Sequence, residues 1–233
     1  MATIDELTIA DEPAAWAALG FAVERDRCRV GAVTLRLAGR AAGRGLVGWT
    51  LRGLAGAAAD GPGDGGDAQG GGEEGAAALA LDGLPTARAS GAAAAPGEPA
   101  PVHPNGVAAL DHVVVVSPRL DRTVAALEAA GLDLRRIREQ PTPAGAPRQA
   151  FFRLGAEIVE VVQEPDEVVA RAGGADRPAI FWGLALRVDD LDATAAALGD
   201  RVGPVRDAVQ PGRRIASLRR AAGLALPVAL MTP

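Results

Sequence analysis

Two stretches decide the fold: residues 109–140, ALDHVVVVSPRLDRTVAALEAAGLDLRRIREQ, and residues 148–165, RQAFFRLGAEIVEVVQEP. Val113 to Val116 is a β-branched run, stiff at χ1, that reads as a strand, and Ser117-Pro118 ends it. Leu120, Val124, Leu127 and Gly131 then follow helical spacing. Asp121 falls in the first turn, where a negative charge suits the helix dipole, and Gly131 is the natural stop. Phe151-Phe152 and Ile158 to Val162 are two further β-rich runs on either side of a Leu154-Gly155 turn. The unit is predicted as βα followed by several β.

The same outline returns downstream. With Leu120-Asp121 set on Leu191-Asp192, residues 181–205 (FWGLALRVDDLDATAAALGDRVGPV) overlay the first unit without a gap. Val113 to Val116 then matches Leu184 to Arg187, and Leu127 matches Leu198. The closing run LPVALMTP overlays IVEVVQEP with Pro233 on Pro165, which sets Val228 on Glu160. A repeat of this size fixes architecture before chemistry, because one unit cannot cover both faces of its own sheet. A fainter copy precedes it: a strand at Leu7–Ala10, a short helix from Pro13 to Leu19 stopped by Gly20, and β-prone runs at 21–24, 28–37 and 46–54. The predicted class is α+β.

Composition limits the rest. At 48% hydrophobic residues over 233 positions, the chain can bury a sizeable core in one large or two small domains. Residues 55–76, rich in Gly and Asp, are predicted to be a disordered loop; Ala78 to Leu81 forms one more strand. An Ala/Pro-rich linker at 89–104 divides an N-terminal unit, 1–88, from a domain at 105–233 whose modules are 105–165 and 178–233. His103, inside that linker, is expected in solvent, and Trp16 and Trp49 in the core of the N-terminal unit. No apolar run is long enough to span a bilayer, and the acidic start MATIDELTIADEP is unlike a signal peptide, so the expected location is cytoplasmic, with no membrane partner. A net charge of -5 and 3% aromatic residues give no reason to expect nucleic acid. Cys28 is the single cysteine and is read as a buried structural thiol. No Gly-rich phosphate loop and no nucleophile elbow is present, so no nucleotide cofactor is expected.

The LDHV strand opening, the helix after it, the RLGAEIVEVV closing strand and the tandem repeat together resemble the vicinal oxygen chelate superfamily, which includes glyoxalase I, extradiol dioxygenases, and fosfomycin- and bleomycin-resistance proteins. The resemblance implies two βαβββ modules closing into a cup-shaped, half-open barrel around a small molecule, with an additional N-terminal βαβββ-like unit. It also implies a divalent metal (zinc, nickel, manganese or iron) held by the first and last strands of each module. Carried over by position, His112 and Glu160 are metal ligands, whereas Gly183 and Val228 stand at the two other ligand positions and cannot serve. Half the expected site is missing.

Strand alternation puts His112, Val114 and Val116 on one face, and Ile158, Glu160 and Val162 on one face, with Asp111, Glu157 and Gln163 pointing away. Glu6, at the corresponding place in the N-terminal unit, is the candidate third ligand. Glu160 also doubles as the catalytic proton carrier, since a carboxylate within an apolar strand needs a specific partner; Arg148 or Arg153 would be the plain structural one. Arg187, Trp182 and Phe151 are the expected substrate-binding residues, Arg187 suiting an anionic group. Three functions fit: a metal-assisted lyase, isomerase or dioxygenase; a metal-free small-molecule-binding protein of the bleomycin-resistance kind; and a non-catalytic subunit that pairs through its unmatched unit. A homodimer is expected.

Overall fold

The computed structural model describes residues 1–55, 79–90, 101–142 and 145–233. The predicted loop at 55–76 lies almost wholly outside the described residues, as does most of the 89–104 linker.

The described residues form two sheets. The first contains β1 (Thr3–Ile9), β2 (Arg27–Val30), β3 (Val33–Leu37), β4 (Leu46–Arg52), β5 (Leu79–Leu81) and β6 (Leu84–Arg88), in the order β2-β3-β1-β4-β6-β5, with a short helix α1 (Pro13–Ala17) after β1. The second contains β7 (Val107–Ser117), β8 (Asp133–Arg138), β9 (Gln149–Leu154), β10 (Glu157–Gln163), β11 (Ile180–Val188), β12 (Arg206–Asp207), β13 (Arg214–Ser217) and β14 (Val228–Met231). Its order is β12-β13-β14-β11-β7-β10-β9-β8. Helices α2 (Leu120–Ala129), α3 (Asp166–Arg171) and α4 (Leu191–Leu198) lie between the strands of this second sheet. This is α+β, two βαβββ modules joined at β7 and β11 into a half-open cup whose end strands β8 and β12 do not meet.

Each helix follows from its sequence. Leu120, Thr123, Val124 and Leu127 are buried at helical spacing on α2, and the chain leaves it through Gly131 at φ 87°, donating its N–H to the Glu128 carbonyl at 2.8 Å. Asp190 caps α4 by accepting from the Ala193 N–H at 2.9 Å. Alternation along β10 buries Val159 and Val161 completely and leaves Ile158, Glu160 and Val162 on the other, half-covered face.

The repeat is a near twofold about the antiparallel pair β7–β11, where Val113 faces Leu184. First and last strands of each module run parallel: Val113 pairs with Val159, and Leu184 with Val228. Val228 therefore corresponds to Val159, and Ala229 to Glu160, one residue away from the match made on the two terminal prolines. Matching the prolines aligned the strand ends, whereas the ladder decides which face a side chain takes. Val228 is buried with the core, as Val159 is.

In chain order the N-terminal unit is βαβββ too, but its pairing differs. Its third strand, β3, takes the parallel place beside β1, while β4 runs antiparallel to β1 and parallel to β6. The strand predicted at 21–24 is only an isolated bridge between Glu24 and Arg27.

One hydrophobic core runs through both sheets. Trp49 of β4 meets Phe181 of β11 edge-on, with ring centroids 5.0 Å apart, and its indole N–H donates to Thr86 Oγ1 at 2.7 Å. Trp16 is fully buried. The β5–β6 turn adds a polar tie: Arg122 Nε lies 2.6 Å from Asp82 Oδ1, and Thr123 donates to the same carboxylate. Gly83 is required there, because a Cβ would fall 2.1 Å from Pro178. His103 is not in solvent. It is 3% exposed, with Nδ1 accepting from the Ala22 N–H at 2.9 Å and Nε2 3.0 Å from the Arg29 carbonyl. The backbone of the β2 region needed a partner, and the histidine near the end of the linker supplies it. Among the described residues no helix is long and apolar enough to cross a membrane.

Candidate functional site

The open face of the eight-stranded sheet carries the polar residues that merit a chemical reading. Alternation alone would send Asp111 and His112 to opposite faces, but β7 bulges there: Ala185 pairs with His112 and Leu186 with Leu110, leaving Asp111 as the extra residue. The bulge brings both side chains to one side, and Asp111 Oδ2 sits 2.8 Å from His112 Nδ1. Asp111 thus does not point away as alternation predicts. Arg213, reaching over from the start of β13, donates to both Asp111 oxygens and to the Thr232 carbonyl.

Burial raises the Asp111 carboxyl, but hydrogen bonds from His112 and Arg213 outweigh it and hold the pKa down at about 2. An ionised Asp111 can only accept, so His112 Nδ1 carries a hydrogen and Nε2 is left to face outward. Nε2 lies 3.5 Å from Glu160 Oε2, longer than a normal hydrogen bond, so neither atom is committed to the other. Glu160 Oε1 accepts from the Gln149 side chain. Burial pushes the Glu160 carboxyl up, opposed by the charge of His112 and the Gln149 hydrogen bond. Arg148 and Arg153, the alternative partners for Glu160, are engaged elsewhere: Arg148 with Glu139 and Asp121, Arg153 with the Gly155 carbonyl.

The other sequence-predicted residues fall as follows. Phe151 lies opposite Glu160 on β9, and Arg136 of β8 stacks over its ring at 5.0 Å. Arg187 lies opposite Ala109 on the face shared with Ala185, in no ion pair among the described residues, with its charge acting on the buried Glu157. Trp182 is the extra residue of a second bulge and is 54% exposed; Phe181 turns inward onto Trp49. Glu6 is not brought to His112 and Glu160. It lies in the first sheet between Arg27 at 2.8 Å and Arg36 at 3.1 Å, which neutralise it there. Cys28 is buried, and burial pushes its thiol up to about 12.

Sequence reading missed Asp111, Gln149, Arg213 and Arg138, the last a cation whose field reaches Glu160. The adjacent Asp-His pair was the available signal, and only a bulge makes it meaningful.

The residues present do not fit the metal of the resembled superfamily. Among the described residues no three His, Cys, Asp or Glu side chains gather to hold an ion. Gly183, the counterpart of His112, cannot be replaced by a ligand without moving backbone, since even a Cβ would meet the Pro227 carbonyl oxygen at 2.6 Å. Ala229 stands opposite Ala185 at the position corresponding to Glu160.

A profile of the Glyoxalase/Bleomycin resistance protein/Dioxygenase superfamily matches residues 111–217. Over residues 111–217 the chain is therefore similar to the vicinal oxygen chelate superfamily. Among solved structures, methylmalonyl-CoA epimerase from Mycobacterium tuberculosis is 22% identical over 55% of this chain and 89% of its own, with a TM-score of 0.44. A xylose isomerase-like TIM barrel/4-hydroxyphenylpyruvate dioxygenase fusion protein is 14% identical over 99% of this chain and 48% of its own, with a TM-score of 0.58. The second likeness takes in the N-terminal sheet and is one of fold alone. No curated protein matches the sequence.

Proposed function

We propose that the cup of the eight-stranded sheet binds a small anionic molecule and that His112 and Glu160 move a proton on it without a metal, as in an isomerase. The observation that carries this reading is the string Arg213, Asp111, His112, Glu160, Gln149, in which an ionised carboxylate fixes one imidazole nitrogen while the other faces a carboxyl raised by burial. One of the two groups removes a hydrogen as a proton from a carbon next to a carbonyl or carboxylate. The electron pair moves onto that oxygen, and the proton returns to the same or the adjacent carbon. Arg138 and Arg187, neither in an ion pair among the described residues, offer guanidinium partners for the oxyanion, with Phe151 and Trp182 as apolar walls. No step runs through a metal.

Residues 1–88 and 105–233 are proposed as two units on either side of the 89–104 linker that share one core, in a protein that pairs as a homodimer. The free edges of β8 and β12 give a second copy a place to add. Sedimentation at a single monomer mass of 23.5 kDa would remove the dimer.

The test of the reaction is solvent exchange. Small 2-hydroxy, 2-oxo and 2-methyl acids and their thioesters are incubated in D2O with the wild type and with Glu160→Gln, and deuterium at the carbon next to the carbonyl is read by mass spectrometry. Incorporation by the wild type and its loss in the variant is the expected result. Binding by thermal shift with no incorporation in any compound overturns the catalytic reading in favour of a metal-free binding protein.

A further inference from the structure

We infer that a second ligand site, unrelated to the cup, lies where the two units touch: a cleft of about 300 Å³ that takes a compact, multiply charged oxyanion. Its wall joins the loop after β3 to the loop before β14. Arg40 and Arg44 come from the first, Arg220 from the second, and Gly43, Leu224 and Ala225 fill between them.

The two loops are built alike. Each contains a one-turn 3-10 segment of sequence Arg-Ala-Ala followed by Gly, at 40–42 and at 220–222. They are fastened to each other rather than merely adjacent. Arg40 Nη2 donates to the Gly223 carbonyl at 2.8 Å, which fixes that guanidinium at the cleft. Asp11, fully buried, accepts the Ala225 N–H at 2.8 Å on Oδ1, while its own carbonyl accepts the Gly39 N–H at 3.1 Å.

Three exposed arginines line one small opening, so their like charges add to a local positive field that water screens but does not cancel. No carboxylate lines the cleft. Asp11 and Glu12 adjoin it, yet among the described residues neither forms an ion pair with an arginine: Glu12 accepts the Arg40 backbone N–H, and Asp11 Oδ2 has no partner at all. Elsewhere in this protein arginines are routinely matched to acids, as with Arg27 and Arg36 on Glu6, Arg148 on Glu139 and Asp121, and Arg214 on Asp192. A phosphate-type oxyanion supplies at one point the charge and the acceptor geometry that this cleft lacks, and guanidinium groups bind such oxygens in pairs. Because Arg40 and Arg44 belong to one unit and Arg220 to the other, an occupied cleft ties the units together.

The experiment is a thermal-melt titration of the full chain at constant ionic strength with chloride, inorganic phosphate, pyrophosphate and ADP, on the wild type, Arg220→Gln, the double variant Arg44→Gln/Arg220→Gln, and Arg206→Gln as a control outside the cleft lining. Saturable stabilisation by pyrophosphate or ADP in the wild type and the control, reduced at least tenfold in apparent affinity in Arg220→Gln and absent in the double variant, is expected. Equal affinity for pyrophosphate and ADP identifies the free oxyanion as ligand; tighter ADP identifies a phosphorylated metabolite. No saturable shift beyond chloride, or an undiminished shift in the double variant, overturns the site. Retained deuterium exchange in the double variant keeps this outcome separate from that of the cup.

Discussion

The two halves of the eight-stranded sheet share a backbone and divide the chemistry unequally. On one side of the β7–β11 pair stand His112 and Glu160; at the matching places on the other stand Gly183 and Ala229. The difference has a local cause. Beside β11 the Pro227 carbonyl closes onto Gly183 so tightly that a Cβ would lie 2.6 Å away, and the Leu184 N–H takes that carbonyl at 3.0 Å. Beside β7 the chain instead bulges at Asp111, and the extra residue becomes the partner of His112. Fold repetition supplied the frame twice, and a single bulge supplied the site once.

The largest effect should come from removing the proton carrier in the occupied half. Glu160→Gln should lower deuterium exchange about 10²- to 10⁴-fold while leaving ligand-induced stabilisation in place. The acid limb of the wild-type rate should stand above the ordinary carboxylate range, because burial pushes Glu160 up. A variant that exchanges at the wild-type rate would mean that the two halves do not differ in chemistry.

The vacant half is tested by filling it. Gly183→Ala should cost about 1–3 kcal/mol in urea unfolding, since backbone and not a flexible side chain must move. A cost below about 0.5 kcal/mol would show that the Pro227 segment yields readily, and the explanation for the missing ligand would fall with it.

How much of this contrast was legible beforehand depends on which interactions carry it. The first strand, α2, Val159 to Val162 and the repeat at 181–198 were readable because they rest on β-branched runs and helical spacing, which are local. His112 and Glu160 were readable as one face of two strands. Asp111 was not, since a bulge reverses alternation and depends on the neighbouring strand; nor was Ala229, whose face is set by pairing with β11 and not by the proline that ends the run. Gln149 and Arg213 meet the site only through folding, from β9 and from the start of β13. The N-terminal strand order was hidden for the same reason, as nothing local to Leu46–Arg52 says that it runs antiparallel to β1.

Asp111 makes the contrast visible in acid. Its folded pKa, about 2, lies below its unfolded value near 3.9, so its contribution is present above about pH 4 and is lost as pH falls through 2. The cost over that window should be about 2 kcal/mol, and Asp111→Asn should flatten the stability profile there. An unchanged profile in the variant would mean that the Arg213 and His112 contacts do not hold the carboxylate.

Glu160 should show the smallest effect, with the opposite sign. Burial raises its folded pKa above the unfolded value, so the stability it contributes is fully present below about pH 4.3 and is lost as pH rises through the folded value. At neutral pH the ionised carboxylate is therefore a cost that the unfolded chain does not bear. Glutamine at 160 keeps the shape and cannot ionise, so Glu160→Gln should match or exceed wild-type stability at pH 8, by up to about 1 kcal/mol, and lose that advantage by pH 4. Stability and activity would then move in opposite directions in one variant, as expected of a residue held where its charge is unfavourable and its proton is useful. A Glu160→Gln protein that is less stable at pH 8 than at pH 4, relative to wild type, would instead make Glu160 a structural partner of His112 and Gln149, and the occupied half would differ from the vacant one only in packing.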